Sequence, residues 1–579
     1  MNILGVACDY HDASAALLCN GELAAASAEE RFSRRKHDPS LPVRAIDWCL
    51  QFAGLTPRDL DYVAFYEKPL LKFDRVLTNS LTYYPRAGPF FREGLSSWLS
   101  EKLWIKSRLL RHLGIPAGKV LFCDHHCSHA ASAFYCSGLP AAAILTVDGV
   151  GEWATATMGV GQAHELRLQR EIRWPHSLGL LYSTLTAFLG FEVNEGEFKV
   201  MGLAAFGTPR YEDKIRQLVR VSPDGALELD LDYFCHHLDP SRMFSQPFLR
   251  LFGDPRDAAA EWFADPAKGA FGSPKDQYYA DLAASLQSVT EDILLTMARH
   301  ALRSSGQKDL VMAGGVALNS KAIGRIQDES GVRTLYVQPA AGDCGGSLGA
   351  ALWVWHSMLG KPPSFAMRHA YWGGGGASET ASAQCAAMGF RAESLSSDGA
   401  VIERAVDDLL AGKVIGWCQG RFEWGPRALG HRSILADPRS RATQDLVNRK
   451  VKFREPFRPF GPSLLASSAS RYFDAALESQ PVANFMQRTA LVREDAKAWI
   501  PATTHVDGTS RPHLVRPEDE PLYAGLLRSF GQATDHPVLL NTSFNVRGEP
   551  IVGSAADALQ SFASSNLDVV YIERMRVTR

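Results

Sequence analysis

The stretch Cys123-Asp124-His125-His126-Cys127-Ser128-His129 crowds three imidazoles and two thiols into one short segment, and side chains of that kind bind metals. If a helix begins here, as Ala130-Ala131-Ser132-Ala133-Phe134-Tyr135 suggests, His125 and His129 stand at i and i+4 on one face and can chelate a single ion. His126 then points elsewhere. Two ligands do not complete a site, and Asp148, in Thr146-Val147-Asp148-Gly149, is the nearest carboxylate candidate. A lone histidine is more often a hydrogen-bonded structural residue. A pair at chelating spacing, followed by Asp-Gly after an apolar strand, favours a metal. A zinc knuckle of Cys123 and Cys127 with two histidines is the weaker alternative, because its spacing is compressed relative to the usual separated ligand pairs.

A second concentration of chemistry lies between Arg421 and Arg458, where ten Lys/Arg face four acids in a chain whose formal charge is only −2. The local excess of positive charge marks an anion site. Interleaved Phe422, Trp424, Phe453, Phe457 and Phe460 would also suit nucleic acid. The charges, however, lie among Gly, Pro and aromatic residues, as in Trp424-Gly425-Pro426-Arg427-Ala428-Leu429-Gly430, and rigid turns of that kind aim guanidinium forks at small phosphates. Further on, the loop Asn541-Thr542-Ser543-Phe544-Asn545-Val546-Arg547 follows a strand, and its amides could orient a planar carbamoyl-type group.

These residues need a scaffold, and the pattern supplies one. Ile3 to Cys8 reads as a strand, Asp9 to Asp12 as a polar turn, Ala13 to Leu18 as a strand, Asn20-Gly21 as a hairpin signal, and Leu23 to Ala28 as a third strand. The same strand, acidic turn and strand recur at Ala142 to Val160, with Asp148 in the turn. A duplicated meander with acidic turns facing one cleft is the pattern of the actin-like ATPase fold. Three Gly-rich elements add to it. Lys199 and Gly202 lie in Lys199-Val200-Met201-Gly202-Leu203, Gly314, Gly315 and Asn319 in a strand-to-helix turn, and Asp343 in Gly342-Asp343-Cys344-Gly345-Gly346. Exposed amides at such helix starts favour phosphate, so these positions are read as nucleotide-binding, although neither a Walker pattern nor GxGxxG is present. Asp343 is the candidate further metal ligand or Mg-phosphate anchor.

Residues 210–300 read as a mostly helical insertion, clearest from Asp276 to Arg303, where Leu282, Leu286, Val289, Ile293 and Met297 recur at three or four. Lys361-Pro362-Pro363 and Gly373 to Gly376 mark a linker over 357–378, which divides the chain into domains 1–356 and 379–579. The hydrophobic content of 46% and charged content of 21% are those of a globular protein. Ten irregularly spaced cysteines do not form a disulfide framework, the N-terminus lacks a basic n-region, and no run of 18 apolar residues occurs. The expectation is a cytoplasmic protein with no membrane partner.

Taken together, the chain resembles the NodU/CmcH family of O-carbamoyltransferases. The resemblance rests on His11-Asp12-Ala13-Ser14, Glu29-Glu30-Arg31-Phe32, His125-His126-x-x-His129, Asp148-Gly149, Gly314-Gly315-Val316-Ala317-Leu318-Asn319, Gly425-Pro426-Arg427-Ala428-Leu429-Gly430 and Asn541-Thr542-Ser543-Phe544-Asn545. It implies an α/β chain, with an N-terminal actin-like (ASKHA) domain fused to a C-terminal YrdC-like domain. It also implies a reaction that uses carbamoyl phosphate and ATP, with Mg2+, to make a carbamoyl-adenylate, then carbamoylates the hydroxyl of a small natural product. His125, His129, Asp148 and Asp343 match metal ligands, expected to hold Fe2+, with Zn2+ or Mn2+ as alternatives. His11 matches the histidine that activates the acceptor. Arg427, Lys452 and Arg458 match positions that hold carbamoyl phosphate and the adenylate, with Arg511, Asn545 and Arg547 as looser matches beside Asn541. A homodimer is suggested by the same relatives. A tRNA threonylcarbamoylation enzyme, which would bind nucleic acid, is the second reading.

Overall fold

Two five-stranded sheets with one topology organise the first 366 residues of the computed structural model, which describes residues 1–262, 264–265, 270–363, 365–375 and 381–579. In the first sheet β1 (Asn2–Ala7), β2 (Ser14–Cys19) and β3 (Glu22–Ala28) form an antiparallel meander. β4 (Tyr62–Phe65) then pairs in parallel with β1, and β5 (Val120–Phe122) with β4. The second sheet repeats this order: β6 (Ala141–Val147), β7 (Ala154–Gln162) and β8 (Glu165–Arg173) form the meander, and the strands Asp309–Ala313 and Thr334–Val337 follow in parallel beside β6. This is the duplicated actin-like arrangement. Asn20 (φ 53) and Gly21 (φ 88) both take the left-handed conformation that a tight Asn-Gly hairpin requires.

The parallel strands matter most for function, because their C-terminal ends lie at one edge of each sheet. β1 leads into His11, β4 into Glu67 and β5 into the His125–Ser137 helix; β6 leads into Asp148, Asp309–Ala313 into Gly314, and Thr334–Val337 into Asp343. The Cys344–Leu352 helix locks the arrangement. A Cβ on Gly5 of β1 would stand 1.8 Å from the Ser347 carbonyl oxygen, and one on Gly349 would stand 1.8 Å from that of Ser128, so backbone meets backbone on both sides of this helix.

The region expected to be a helical insertion is only partly helical. It holds short helices at Glu212–Arg216 and Gln246–Phe252, an antiparallel pair Val219–Val221 and Leu227–Leu229 turned at Gly225, and then the Pro274–Ser305 helix. Alternating Leu227-Glu228-Leu229 has the period of a strand, which outweighs the helical tendency of its neighbours. The long helix buries Leu282, Leu286, Val289, Ile293 and Met297 as core.

Met367–Arg579 forms a second unit, which also includes Glu30–Asp38 from near the start of the chain. Its eight-stranded mixed sheet runs in the order Arg391–Ser394, Met575–Thr578, Val569–Ile572, Ile415–Cys418, Arg432–Ala436, Val538–Ser543, Gly461–Leu465 and His513–Val515. Apolar clusters around Phe544 and Phe562 and around Trp417 and Phe530 supply its core. Positions 364 and 376–378 of the expected linker, and 379–380 at the expected start of the second domain, lie outside the described residues. Among the described residues no helix is long and apolar enough to cross a membrane.

Candidate functional site

The His125–Ser137 helix starts immediately after β5, and its first turn is pinned where the Glu152 carboxylate accepts the His125 backbone N–H at 3.0 Å. With the helix so fixed, His125 and His129 project from one face. Their Nε2 atoms stand 3.1 Å apart, and each faces Asp148 Oδ2, at 2.9 and 3.1 Å respectively. Asp343 Oδ1 closes the group at 3.7 Å from His125 Nε2 and 3.6 Å from His129 Nε2. Ligand atoms about 2.1 Å from a common ion are about 3.0–3.4 Å apart in octahedral or tetrahedral geometry, so the four donors fit a divalent cation. The electrostatics agree. Burial alone would lower the His129 pKa, but its bonds to Asp148 and Asp343 push it up to about 9, so the carboxylates attract a cation into the group. His126 is different in kind: its Nδ1 meets Thr146 Oγ1 at 2.7 Å, its Nε2 meets the Ala154 carbonyl at 2.9 Å, and burial lowers its pKa to about 3. It is a neutral structural pin.

The zinc-knuckle alternative is not supported. Among the described residues the metal-capable group around this helix contains no cysteine, and burial pushes the Cys123 thiol well above its ordinary value, away from the thiolate that zinc binds.

His11 lies in the turn after β1, flanked by Asp9 (φ 75) and Asp12 (φ 52), both in the left-handed region. Arg108 holds Asp9 at 2.7 Å, and Asp12 Oδ2 faces His11 Nδ1 at 2.9 Å. Against the effect of burial, Asp343 and Asp12 raise the His11 pKa to about 9, an influence that puts the imidazole within electrostatic reach of the metal-capable carboxylates.

The proposed nucleotide positions are dispersed in role. Gly314 (φ 96) packs against the Val147 backbone, and the Gly315 N–H donates to Asp148 Oδ1 at 3.1 Å, so this turn orients a candidate ligand. Asn319 caps the Ser320–Glu329 helix and exchanges two amide hydrogen bonds with Gln287, at 2.9 and 3.0 Å. Lys199 lies 5.9 Å over the Phe191 ring, and Gly202 is buried within the Glu197–Ala204 helix.

In the second unit the sheet topology assembles a separate cationic cluster. The starts of Arg432–Ala436, Gly461–Leu465 and His513–Val515 and the end of Val538–Ser543 lie at one end of the sheet, since Ser433 pairs with Ser543, Gly461 with Asn541, and Ser463 with His513. The loops at that end bring together Arg427, Lys452, Arg458, Arg511 and Asn545. Burial first and then mutual repulsion lower the pKa values of Arg427, Lys452 and Arg511. Arg427 falls to about 10 with Arg458 beside it, Arg511 is depressed by Arg427 and Arg458, and Lys452 by Arg454 and Arg458. Like charges held together in a buried place constitute an anion site. Lys452 Nζ donates to the carbonyls of Ser543 (2.7 Å) and Asn545 (2.8 Å) and to Asn545 Oδ1 (2.5 Å). Phe453, at φ 49, turns outward between Lys452 and Arg454, a strained conformation of the kind found at functional sites.

Several contributors escape the sequence reading. Arg454, anchored on Asn448 Oδ1 at 2.8 Å, belongs to the cluster, and its place two residues after Lys452 is the signal that the sequence offers. Glu423 accepts the backbone N–H groups of Leu429 (2.8 Å), His431 (2.9 Å) and Arg432 (3.0 Å), and so fixes the loop that carries Arg427. Asn541 secures the same loop by donating to the Ala428 carbonyl at 3.0 Å, which makes it a support for Arg427. Arg547 is exposed on the loop beyond Asn545.

Two family models cover these two regions: the carbamoyltransferase N-terminus matches residues 2–352 and the carbamoyltransferase C-terminus residues 406–579. The chain belongs to the carbamoyltransferase family. Relatives agree with this. The Synechocystis protein sll1178 is 42% identical over 607 residues, covering 99% of this chain and 96% of its own. Nodulation protein NolNO of Sinorhizobium fredii is 35% identical over 565 residues, covering 96% of this chain and 77% of its own. The 3'-hydroxymethylcephem-O-carbamoyltransferase of Streptomyces clavuligerus is 32% identical over 280 residues, 48% of this chain and 50% of its own. The chain is thus a carbamoyltransferase, with the N-terminal family region carrying the His125, His129, Asp148 and Asp343 group and the C-terminal region carrying the cationic cluster.

Proposed function

We propose that this carbamoyltransferase uses carbamoyl phosphate and ATP to form carbamoyl-adenylate at the cationic cluster and transfers the carbamoyl group, near His11, to a hydroxyl of a small natural product. The observation that carries this reading is the gathering of buried Lys452 with half-buried Arg427, Arg454, Arg458 and Arg511 in one mutually repelling group, which suits the several phosphates of two small substrates. Water splits carbamoyl phosphate into carbamate and phosphate. A carbamate oxygen attacks the α-phosphorus of ATP, and pyrophosphate leaves with the bonding electrons. The surrounding guanidinium groups offset the charge that develops on the departing oxygens. At the second station His11, made neutral once a divalent ion offsets the carboxylate charge that otherwise raises its pKa, takes the acceptor's hydroxyl proton as the hydroxyl oxygen attacks the carbamoyl carbon, and AMP leaves.

His125, His129, Asp148 and Asp343 would hold a divalent ion there, with Fe2+ favoured over Zn2+ or Mn2+. When bound, such an ion supplies a Lewis acid for phosphate or carbonyl oxygens. The chain's own part is to fix the four donors from two strand ends and one helix face.

The tRNA-modifying alternative loses ground to burial. Within Arg421 to Arg458, Arg432 and Lys452 are buried and Arg427, Arg454 and Arg458 half-buried, whereas a nucleic-acid groove exposes its cations. The deciding experiment is a mixture of protein, ATP and carbamoyl phosphate assayed for products. Pyrophosphate is the expected product, and release of ADP alone would overturn the adenylate route.

A further inference from the structure

The two candidate metal-binding histidines differ in what stands behind them. If Nε2 of each binds an ion, each ring is neutral and its proton sits on Nδ1, which then needs an acceptor. In both His125 and His129 Nδ1 is buried and has no hydrogen-bond partner among the described residues. For His125, however, a carboxylate faces that nitrogen: Glu67 Oε2 is 4.0 Å from His125 Nδ1.

Glu67 is an unusual residue to find there. It is 3% exposed, it emerges directly after β4, and its only ion-pair partner besides His125 among the described residues is the ammonium of Lys72, 2.6 Å from Oε2 and itself 6% exposed. A buried carboxylate held by a buried ammonium is costly unless its geometry is used. Lys72 also sits 5.3 Å over the Tyr10 ring, and Tyr10 packs at 4.5 Å on His11, so the pair braces the loop that carries His11 as well. The His125 ring has little freedom. Tyr66 lies 5.4 Å away, and on another side Gly151 approaches so closely that an added Cβ would come within 2.9 Å of the ring. A hydrogen bond from Nδ1–H to Glu67 requires the 4.0 Å separation to shorten to about 3 Å when the ion is held.

We infer that Glu67, clamped by Lys72, is the positioning carboxylate of His125: it accepts the Nδ1–H, fixes the tautomer that frees Nε2, and sets how tightly the site holds a divalent ion. This rests on the reading of His125, His129, Asp148 and Asp343 as a metal site, but not on any carbamoyl chemistry. It also makes the site asymmetric, with the relay serving His125 and not His129.

The test uses the full-length protein, stripped with chelator and titrated with Co2+ against a competing chelator, without substrates. The parent protein is expected to bind Co2+ and show exchangeable, hyperfine-shifted Nδ1–H resonances from two histidines. Glu67→Gln, nearly isosteric and still able to accept from Lys72, should weaken Co2+ binding about 10-fold, and Glu67→Ala by up to about 100-fold, the range found for lost orienting partners of metal ligands. The His125 resonance should exchange faster with solvent while that of His129 is unchanged. A folded Glu67→Gln variant that binds Co2+ within twofold of the parent, with both resonances unaltered, overturns the relay. Failure of the parent to bind Co2+ instead overturns the metal reading beneath it. A variant-free check is the zinc-loaded parent labelled with 15N-histidine, in which a slowly exchanging proton on His125 Nδ1 supports the relay and an unprotonated or rapidly exchanging Nδ1 overturns it.

Discussion

Asn545 Oδ1 stands 2.5 Å from Lys452 Nζ, and with the carbonyls of Ser543 and Asn545 it forms a collar that aims a buried ammonium into the cationic cluster. Replacing Asn545 by Ala leaves the backbone part of the collar, so the expected result is a rise in KM for carbamoyl phosphate of about tenfold, the worth of one charge-assisted hydrogen bond. Lys452→Ala and Arg427→Ala should abolish pyrophosphate release. A continuous pyrophosphate assay separates the raised KM of Asn545→Ala from the loss in the other two.

His11→Ala separates the two stations. Pyrophosphate release should persist, while transfer to a hydroxyl acceptor falls by about 10²–10⁴-fold, the usual contribution of a positioned general base. Equal loss of both activities would remove the division of labour between the units.

Stripping the protein with a chelator should likewise spare pyrophosphate release and stop transfer, and adding back a divalent ion should restore it. Asp148→Asn, which weakens the carboxylate shared by His125 and His129, should prevent that restoration. Calorimetry provides an independent readout, because an ion at one hundred times its Kd stabilises the folded state by about 2.7 kcal/mol. No upward shift in Tm with any of Fe2+, Zn2+, Mn2+ or Co2+ would count against the site.

Gly349→Ala tests the scaffold. A Cβ there would overlap the Ser128 carbonyl, which is backbone of the helix that carries both histidines. The strain cannot be relieved by rotating a side chain, so destabilisation of about 3 kcal/mol or more is expected, together with weakened metal binding. Denaturant unfolding measures the first and chelator competition the second.

Asp408 provides a test by pH. Burial would raise its pKa, but Arg576, Lys413 and Tyr571 hold it down at about 2. Since the folded-state value is depressed, the resulting stabilisation, about 2 kcal/mol, is present in full above about pH 4 and disappears as pH falls through about 2. Asp408→Asn should therefore be less stable than the parent at pH 6, with the gap closing near pH 2. A gap independent of pH would show that packing, rather than ionisation, is what Asn removes.

What could be read from the residues divides along physical lines. The meanders were legible because strand period and Asn20-Gly21 turn chemistry are local, and the His125 and His129 pair because a helix repeats at nearly four. Glu67, Glu423 and Arg454 were not singled out, since a charged side chain reads as surface until the fold buries it. Gly315 and Asn319 look alike in sequence whether their polar groups meet a phosphate or the protein, and here the first bonds Asp148 and the second Gln287. In the 210–300 region the long helical period outweighs the three-residue alternation of Val219–Val221 and Leu227–Leu229, too short to stand out as strands.

The Glu30–Asp38 segment has a consequence for how the chain is made. Arg31 donates to the Gly425 carbonyl, and Arg34 to those of Pro550 and Ile551, across separations of 394, 516 and 517 residues. In synthesis from N- to C-terminus these arginines are made several hundred residues before the carbonyls that they meet. A fragment that starts after the linker would carry three carbonyls whose donors lie in Glu30–Asp38, so the later unit cannot be excised as one continuous piece without leaving part of itself behind.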